Sequence, residues 1–448
     1  SFRPDLPLLA ETSGKNAIIV TPSADLDLAA SDVAKSAFGH AGQKCSAASL
    51  VILVGSVGSS KRFLNQLVDA TRSMRVGYPE HPATQIGPVV EPVHGKLLHA
   101  LTQLDPGERW LVEPKRLDDT GRLWSPGIRD HVKAGSYVHL TEFFGPMLGI
   151  MRARTLDEAI EMQNAVDYGL TAGIHTLDSD ELATWLDRVE AGNLYVNRGI
   201  TGAIVQRQPF GGWKRSAVGA GAKAGGPNYL FGLGDWMPAR ASTQSSTLHL
   251  RGLDARVSTL IEHAQPALSF EEFELLRRSA LSDAIAYRDE YGVARDVTGL
   301  GVERNVFRYR PTPVTVRISE GASLGEGLRV IAAALLARSP IEVSTALELP
   351  VGVVTVLHAA DAPVEVESDA AWLERAHRGG IETTRVRLVG GDASALAGAL
   401  AGTPDVAVWS HAVTPSGRVE LLPFLHEQAV SITNHRFGNP TAISDGVI

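Results

Sequence analysis

One cysteine occurs in the 448 residues: Cys45, inside GHAGQKCSAAS (residues 39–49). A thiol attacks carbon as its thiolate, so a nucleophilic cysteine needs a favourable pKa and an open face. Gly42 and the small residues after Cys45 would let a substrate approach the backbone, where the Cys45 N–H could hold an oxyanion. Lys44 brings positive charge beside it, although adjacent side chains in an extended segment point apart. The same composition also suits a small buried thiol that only fills space. A second group lies 34 positions earlier: Glu11, ahead of a Gly-Lys-Asn turn in ETSGKNAIIV (11–20). A carboxylate within one water of a thioester is a base for its hydrolysis. Alone, Glu11 reads as a surface acid; paired with the cysteine motif it reads as half of a two-step acyl chemistry. His411 and His435 have no partner at a useful spacing, and no His/Cys/Asp cluster suggests a metal.

These groups need elements to hold them. NAIIV (16–20) and SLVILVG (49–55) read as buried strands, and DLDLAASDVAKSAFGH (25–40) between them as a helix with acids in its first turn. Cys45 then falls in a helix-to-strand connection, a common place for catalytic groups. TLDEAIEMQNAV (155–166) opens on a Thr155–Glu158 capping box, and ELATWLDRVEAGNLYVN (181–197) reads as a helix stopping near Gly192 before a strand. The alternation predicts an α/β fold with much parallel sheet. PARASTQSSTLHLRG (238–252), rich in Ser and Thr, marks a boundary. Beyond it SFEEFELLRRSALSDAIAYRDEYG (269–292) predicts one or two helices. Strands and helices then alternate again through PVTVRIS, LRVIAAALLARS, GVVTVLHAA, TRVRLVG, ASALAGALAG and DVAVWS. The expected division is a first domain at 1–237, a linker at 238–256, a smaller α/β domain at 257–420 and a closing flap at 421–448.

Bulk properties narrow the class. With 44% hydrophobic and 21% charged residues the chain is ordinary for a soluble globular protein, and its net charge of −8 argues against nucleic acid as a partner. No apolar run approaches the roughly 18 residues of a membrane helix. A lone cysteine forms no internal disulfide, which favours a reducing, cytoplasmic setting. The opening SFRPDLPLLAETSGK, without methionine, is what a piece of a longer chain would look like, or a processed terminus.

ETSGKN, GQKCSA, EFFGP (142–146) and QPFGGWKRS (208–216) stand in the order and spacing of the aldehyde dehydrogenase superfamily. GNLYVNRGITGAIVQRQPFGG (192–212) and KAGGPNYL (223–230) resemble its glutamate-γ-semialdehyde (1-pyrroline-5-carboxylate) dehydrogenase branch. LLPFLHEQAVSITNHRFGNP (421–440) is similar to the closing segment of the bifunctional proline utilization A (PutA) family. The resemblance covers roughly residues 5 to 235 for the superfamily. It implies that Cys45 attacks the aldehyde and is acylated as hydride passes to NAD, and that Glu11 activates the water that releases glutamate. Glu142 would accept hydrogen bonds from the nicotinamide ribose and Phe144 would pack near the nicotinamide. Ser46, Gly225 and Gly226 would hold the substrate carboxylate. Read alone, EFFGP is better explained by core packing of Phe143 and Phe144, and AGGP equally well by a tight turn. WKRSAVGAGA, between PFGG and KAGGP, is two residues longer than the family pattern, so the anchor loop is expected to differ.

The same resemblance implies upstream partners: a dinucleotide-binding domain and an FAD-dependent proline dehydrogenase domain. The oxyanion Asn, ribose Lys and phosphate-contacting Gly-Ser-Thr would lie there, and these 448 residues alone are expected to be inactive. The second half looks like a degenerate dinucleotide-type domain, with SEGASLG and VSTA where the ligands would stand, covering the active site or a substrate tunnel. Oligomeric state is open, self-association included. Two other classes stay in view. A cysteine hydrolase would pair Cys45 with a histidine, for which only His40 is near and no nucleophile elbow exists. A scaffold with relic motifs suits the second half better than the first.

Overall fold

The computed structural model describes residues 3, 6, 8–237 and 252–448, and forms two compact α/β units. Most of the linker expected at 238–256 lies outside the described residues. One unit comprises residues 11–217, 295–307 and 428–448; the other is drawn from 1–10, 218–294 and 308–427.

The unit carrying Cys45 is built on β1 (Asn16–Val20), α1 (Leu26–Phe38), β2 (Ala48–Val54), α2 (Lys61–Ser73), β3 (Arg109–Val112), β4 (Gly127–Asp130), β5 (Met147–Ala153), α3 (Leu156–Asn164), β6 (Thr171–His175), α4 (Ser179–Arg188) and β7 (Asn193–Val196). Ile18, Ile19, Val51 and Ile52 are fully buried, which is why NAIIV and LVILV read as unbroken apolar runs: both faces of a parallel sheet are covered. The order in the sheet is β7-β6-β1-β2-β5-β4-β3, parallel except for the β3–β4 edge pair. Beyond β7 the sheet takes in Leu425–Thr433, Glu303–Pro311 and Arg295–Asp296, to make ten strands. Ala429–Ile432 runs parallel to Asn193–Val196, so AVSIT of the terminal motif is an interior strand of this sheet.

Two local expectations need correction. Thr155 caps α3 by accepting the Glu158 N–H, but the Glu158 carboxylate reaches past Thr155 to the Arg154 N–H at 2.8 Å. The Arg154 guanidinium binds the same carboxylate at 3.3 Å and draws it there, so the reciprocal box does not form. Helix α4 ends at Arg188, not near Gly192: Val189 has extended backbone, and Asn164 holds the Arg188 carbonyl and the Glu190 N–H through its side chain.

In the other unit, α5 (Phe270–Ala286) precedes a five-stranded sheet. Its elements are β8 (Val314–Ile318), α6 (Leu324–Ala337), β9 (Ile341–Thr345), α7 (Val351–Ala359), β10 (Val364–Val366), α8 (Asp369–His377), β11 (Arg385–Val389), α9 (Ala393–Ala399) and β12 (Ala407–Trp409). The all-parallel order β10-β9-β8-β11-β12 is that of a doubly wound nucleotide-binding half. In such folds phosphate sits on the N–H groups opening the helix after the first strand. Here those groups are taken: Ser323 and Glu326 form a reciprocal cap, and Glu272 accepts the Gly325 N–H at 3.1 Å. A Cβ on Gly321 would stand 2.7 Å from the Gly390 carbonyl, so the β8 and β11 loops meet backbone to backbone across the switch point.

Arg329 on α6 and Asp283 on α5 form a buried two-pronged ion pair, at 2.6 and 2.7 Å. Desolvation outweighs the arginine and holds the Asp283 carboxyl up at about 6. Arg329→Met strands that carboxylate and is expected to cost about 3–5 kcal/mol. Asp283→Leu with Arg329→Met should recover most of the loss. Chemical unfolding of the three proteins checks it; equal destabilisation by the single and double changes would show that packing, not the stranded charge, dominates.

Candidate functional site

Cys45 lies in the short connection between the turn Gly39–Gly42 and β2, as the chain pattern predicts, and is exposed. Its position is set by β1. The Asn16 side-chain amide donates to the Cys45 carbonyl at 2.8 Å and the Ala47 carbonyl at 2.9 Å, while its oxygen accepts the Thr171 N–H at 3.0 Å. Gly14 allows the approach: a Cβ there would sit 2.5 Å from the Cys45 carbonyl oxygen. On the other side Gly42 has φ +66°, and a Cβ on it would stand 2.2 Å from the Gly145 carbonyl. The glycines of ETSGKN, GQKCSA and EFFGP thus bring three loops into backbone contact around one sulfur.

The carboxylates arrive on two of those loops. Glu142 is half-buried and accepts the Gly14 N–H at 3.1 Å. Phe143 turns into the core, whereas Phe144, with φ +56°, is 41% exposed. Gln43 fastens this turn, donating to the Phe144 carbonyl at 3.1 Å and accepting the Val90 N–H at 2.9 Å. A crevice lined by Gly14, Gly42, Lys44, Glu142 and Phe144 runs between the cysteine loop and the turn. Glu11 is exposed and accepts the Gly212 N–H at 2.9 Å. QPFGGWKRS grips this segment further: the Thr12 N–H donates to the Ser216 carbonyl at 2.9 Å, and the Ser216 hydroxyl donates to the Ser13 carbonyl at 2.7 Å.

Both carboxylates act on the thiol. Desolvation pushes the Cys45 pKa above its ordinary value, and the negative charges of Glu11 and Glu142 add to it. The N–H groups of Ser46 and of Cys45 itself, pointed at the sulfur, pull the other way. The resting group is therefore a thiol waiting for a base. Tyr195 on β7, buried among apolar neighbours and pushed up to about 12 chiefly by desolvation, lies near enough to feel the sulfur's charge.

Cys45, Glu11, Glu142 and Phe144 are thus gathered in one unit. Ser46 is beside them, but its side chain is buried and its carbonyl accepts the Thr171 hydroxyl at 3.3 Å. Gly225 and Gly226 belong to the other unit; Gly225 has φ +72° and the Gly226 N–H closes a turn onto the Lys223 carbonyl at 2.9 Å. Asn16, Lys15 and Thr171 escaped the sequence reading. Asn16 and Lys15 stand inside a quoted motif, yet nothing in their types tells a strand-opening amide or amine from a turn residue.

Because neighbouring negative charge helps keep Cys45 protonated, removing it should lower the thiol pKa. Alkylation by iodoacetamide, followed against pH, is expected to reach half-maximal rate at lower pH in Glu11→Gln and in Glu142→Gln than in the parent. An unchanged or upward-moved midpoint in both would contradict the electrostatic arrangement.

The profile of the aldehyde dehydrogenase family matches residues 5–231. The chain is 38% identical over 225 residues to the 1-pyrroline-5-carboxylate dehydrogenases of Geobacillus thermodenitrificans and of Bacillus subtilis, covering 50% of this chain and 43% of each relative. It therefore spans less than half the length of the curated relatives it matches. Among solved structures, proline utilization A (PutA) from Corynebacterium freiburgense aligns over 98% of this chain and 40% of its own, at 47% identity and a TM-score of 0.80. A family profile that spans half the chain and covers the loops around the sulfur gives the assignment: this chain belongs to the aldehyde dehydrogenase family.

Proposed function

We propose that this chain forms the acylating half of an NAD-dependent L-glutamate γ-semialdehyde dehydrogenase, within a bifunctional polypeptide that also oxidises proline on FAD. The observation carrying the proposal is the exposed Cys45, within electrostatic reach of two loop carboxylates, Glu11 and Glu142. Glu142 fits a ribose diol: the Gly14 N–H fixes one oxygen, and the exposed Phe144 offers an apolar face for a flat ring. When bound, the nicotinamide supplies the hydride acceptor.

The protein's own groups do the rest. Cys45 gives up its proton to solvent, relayed through a water on the nearby Glu11 carboxylate, and its sulfur bonds to the aldehyde carbon, while the carbonyl oxygen becomes an oxyanion beside the Cys45 N–H. Hydride leaves that carbon, restoring the C=O bond and leaving a thioester. Glu11, aimed by the Gly212 N–H, takes a proton from water; the hydroxide adds to the thioester, the C–S bond breaks, and the thiolate departs with glutamate as product. The thiol's raised pKa disfavours both steps, so a nearby base must take the Cys45 proton as the sulfur attacks, and a protonated acid must return one as the sulfur departs. Gly225 and Gly226, whose turn offers backbone N–H groups, would hold the substrate carboxylate. The relatives named for this reaction support the substrate class, and the lone cysteine supports a cytoplasmic setting. No helix among the described residues is long and apolar enough to cross a membrane.

In the complete polypeptide, Cys45→Ala should abolish NADH formation from glutamate semialdehyde. Glu11→Gln should keep a single-turnover burst of NADH and lose steady-state turnover by about 10²–10⁴-fold, the usual worth of a general base. Stopped-flow absorbance separates the phases; a Glu11→Gln protein with normal steady-state rate removes Glu11 from the mechanism.

A further inference from the structure

Lys15, one residue after the glycine that holds Glu142, is 2% exposed, and its ammonium nitrogen has no hydrogen-bond partner among the described residues. That is a costly arrangement for a side chain that normally leaves its charge in water. Its surroundings are specific. The nitrogen lies 5.1 Å from the centre of the Phe143 ring. The charges that reach it are Glu142 on the same turn, Lys96 on the helix Gly95–Thr102 and Arg129 on β4. His139, on the short helix Tyr137–Leu140, also senses it, but as a neutral ring: its Nδ1 accepts the Gly135 N–H at 2.9 Å, leaving Nε2–H for the Met162 carbonyl at 2.9 Å. Of these groups only Glu142 attracts the ammonium.

We infer that Lys15 is a positioning residue for the Glu142 turn, its buried ammonium holding Glu142 by charge and Phe143 by its ring face so that the carboxylate stays aimed at a cofactor diol. The geometry gives this role a particular merit. A direct Lys–Glu hydrogen bond would occupy a carboxylate oxygen that a ribose needs. At range, Lys15 stabilises the ionised carboxylate and leaves its second oxygen unclaimed by the amine, while the Gly14 N–H takes the first. Phe143, anchored beneath the ammonium, fixes the residue from which Phe144 turns outward. Desolvation brings the Lys15 pKa down from 10.5 to about 7, with Glu142 opposing the fall. The hold on the turn is therefore strong below neutrality and fades above it.

This inference rests on the reading of Glu142 as the ribose acceptor, and the experiment separates the two. NAD affinity of the complete polypeptide is measured by quenching of tryptophan fluorescence across pH 6 to about 9, for the parent, Lys15→Met and Glu142→Gln. The parent should bind several-fold more weakly as pH rises through about 7, where the amine loses its proton. Lys15→Met should bind weakly throughout with a flat profile, and in turnover should raise the KM for NAD while sparing the alkylation rate of Cys45. Glu142→Gln should lose affinity and the pH dependence together. Weak binding by Glu142→Gln with a parent-like Lys15→Met profile overturns the role of Lys15 and keeps the ribose reading. Parent-like binding by Glu142→Gln overturns both. A readout without cofactor stands beside these. A lysine whose folded pKa is depressed gains protons on unfolding between about 7 and 10.5, so parent stability should rise over that range relative to Lys15→Met. If Lys15→Met does not fold, the parent and Glu142→Gln binding profiles still decide: a flat parent profile across neutrality rejects the inference.

Discussion

The side-chain amide of Asn16 is the constraint on which the site depends. It stands at the start of β1 and reaches two carbonyls of the cysteine loop and one N–H of β6, so three chain segments share one planar group. All of it is buried, and a buried amide that loses partners costs about 1–3 kcal/mol for each group left unpaired. The arrangement fixes the Cys45 backbone while leaving its sulfur free to react. Glycines then do by absence what Asn16 does by contact: Gly14 and Gly42 let neighbouring backbones approach closer than any Cβ would allow.

A site assembled this way is electrostatically demanding. Two carboxylates and partial burial oppose ionisation of the thiol, while two N–H groups favour it. The result is a thiol kept protonated at rest, which protects a lone exposed cysteine from indiscriminate oxidation and alkylation. The second unit shows the reverse economy. It keeps the strand order of a dinucleotide-binding half, yet fills the helix N-terminus with its own carboxylates. Its buried arginines are spent on ion pairs: Arg329 on Asp283 and Arg387 on Glu420.

Much of this was legible in the residues because it is local. ETSGKN, GQKCSA and EFFGP are turns whose glycines must meet something, and the apolar runs after them are strands buried on both faces. What could not be read is what depends on distant pairing. Ala429–Ile432 lies beside Asn193–Val196 more than two hundred positions away, and a parallel pair leaves no turn signature in between. Val351–Ala359, valine-rich enough for a strand, is a helix between two strands of the second sheet, where tertiary packing overrides β-propensity. The Thr155–Glu158 box failed for a neighbour's charge, which spacing alone does not weigh. Lys15 hid within a motif whose pattern reveals that a lysine is present and not that it is buried.

The central claim is that one sulfur is acylated by the oxidised aldehyde and released by Glu11. Its most direct test is chemical. Glu11→Gln, in the complete polypeptide, is mixed with NAD and glutamate semialdehyde, quenched in acid within the burst, and digested for mass spectrometry. The account predicts a glutamyl thioester on the peptide bearing Cys45, lost on treatment with hydroxylamine. NADH formed with Cys45 unmodified, or the acyl group on any other residue, would contradict it.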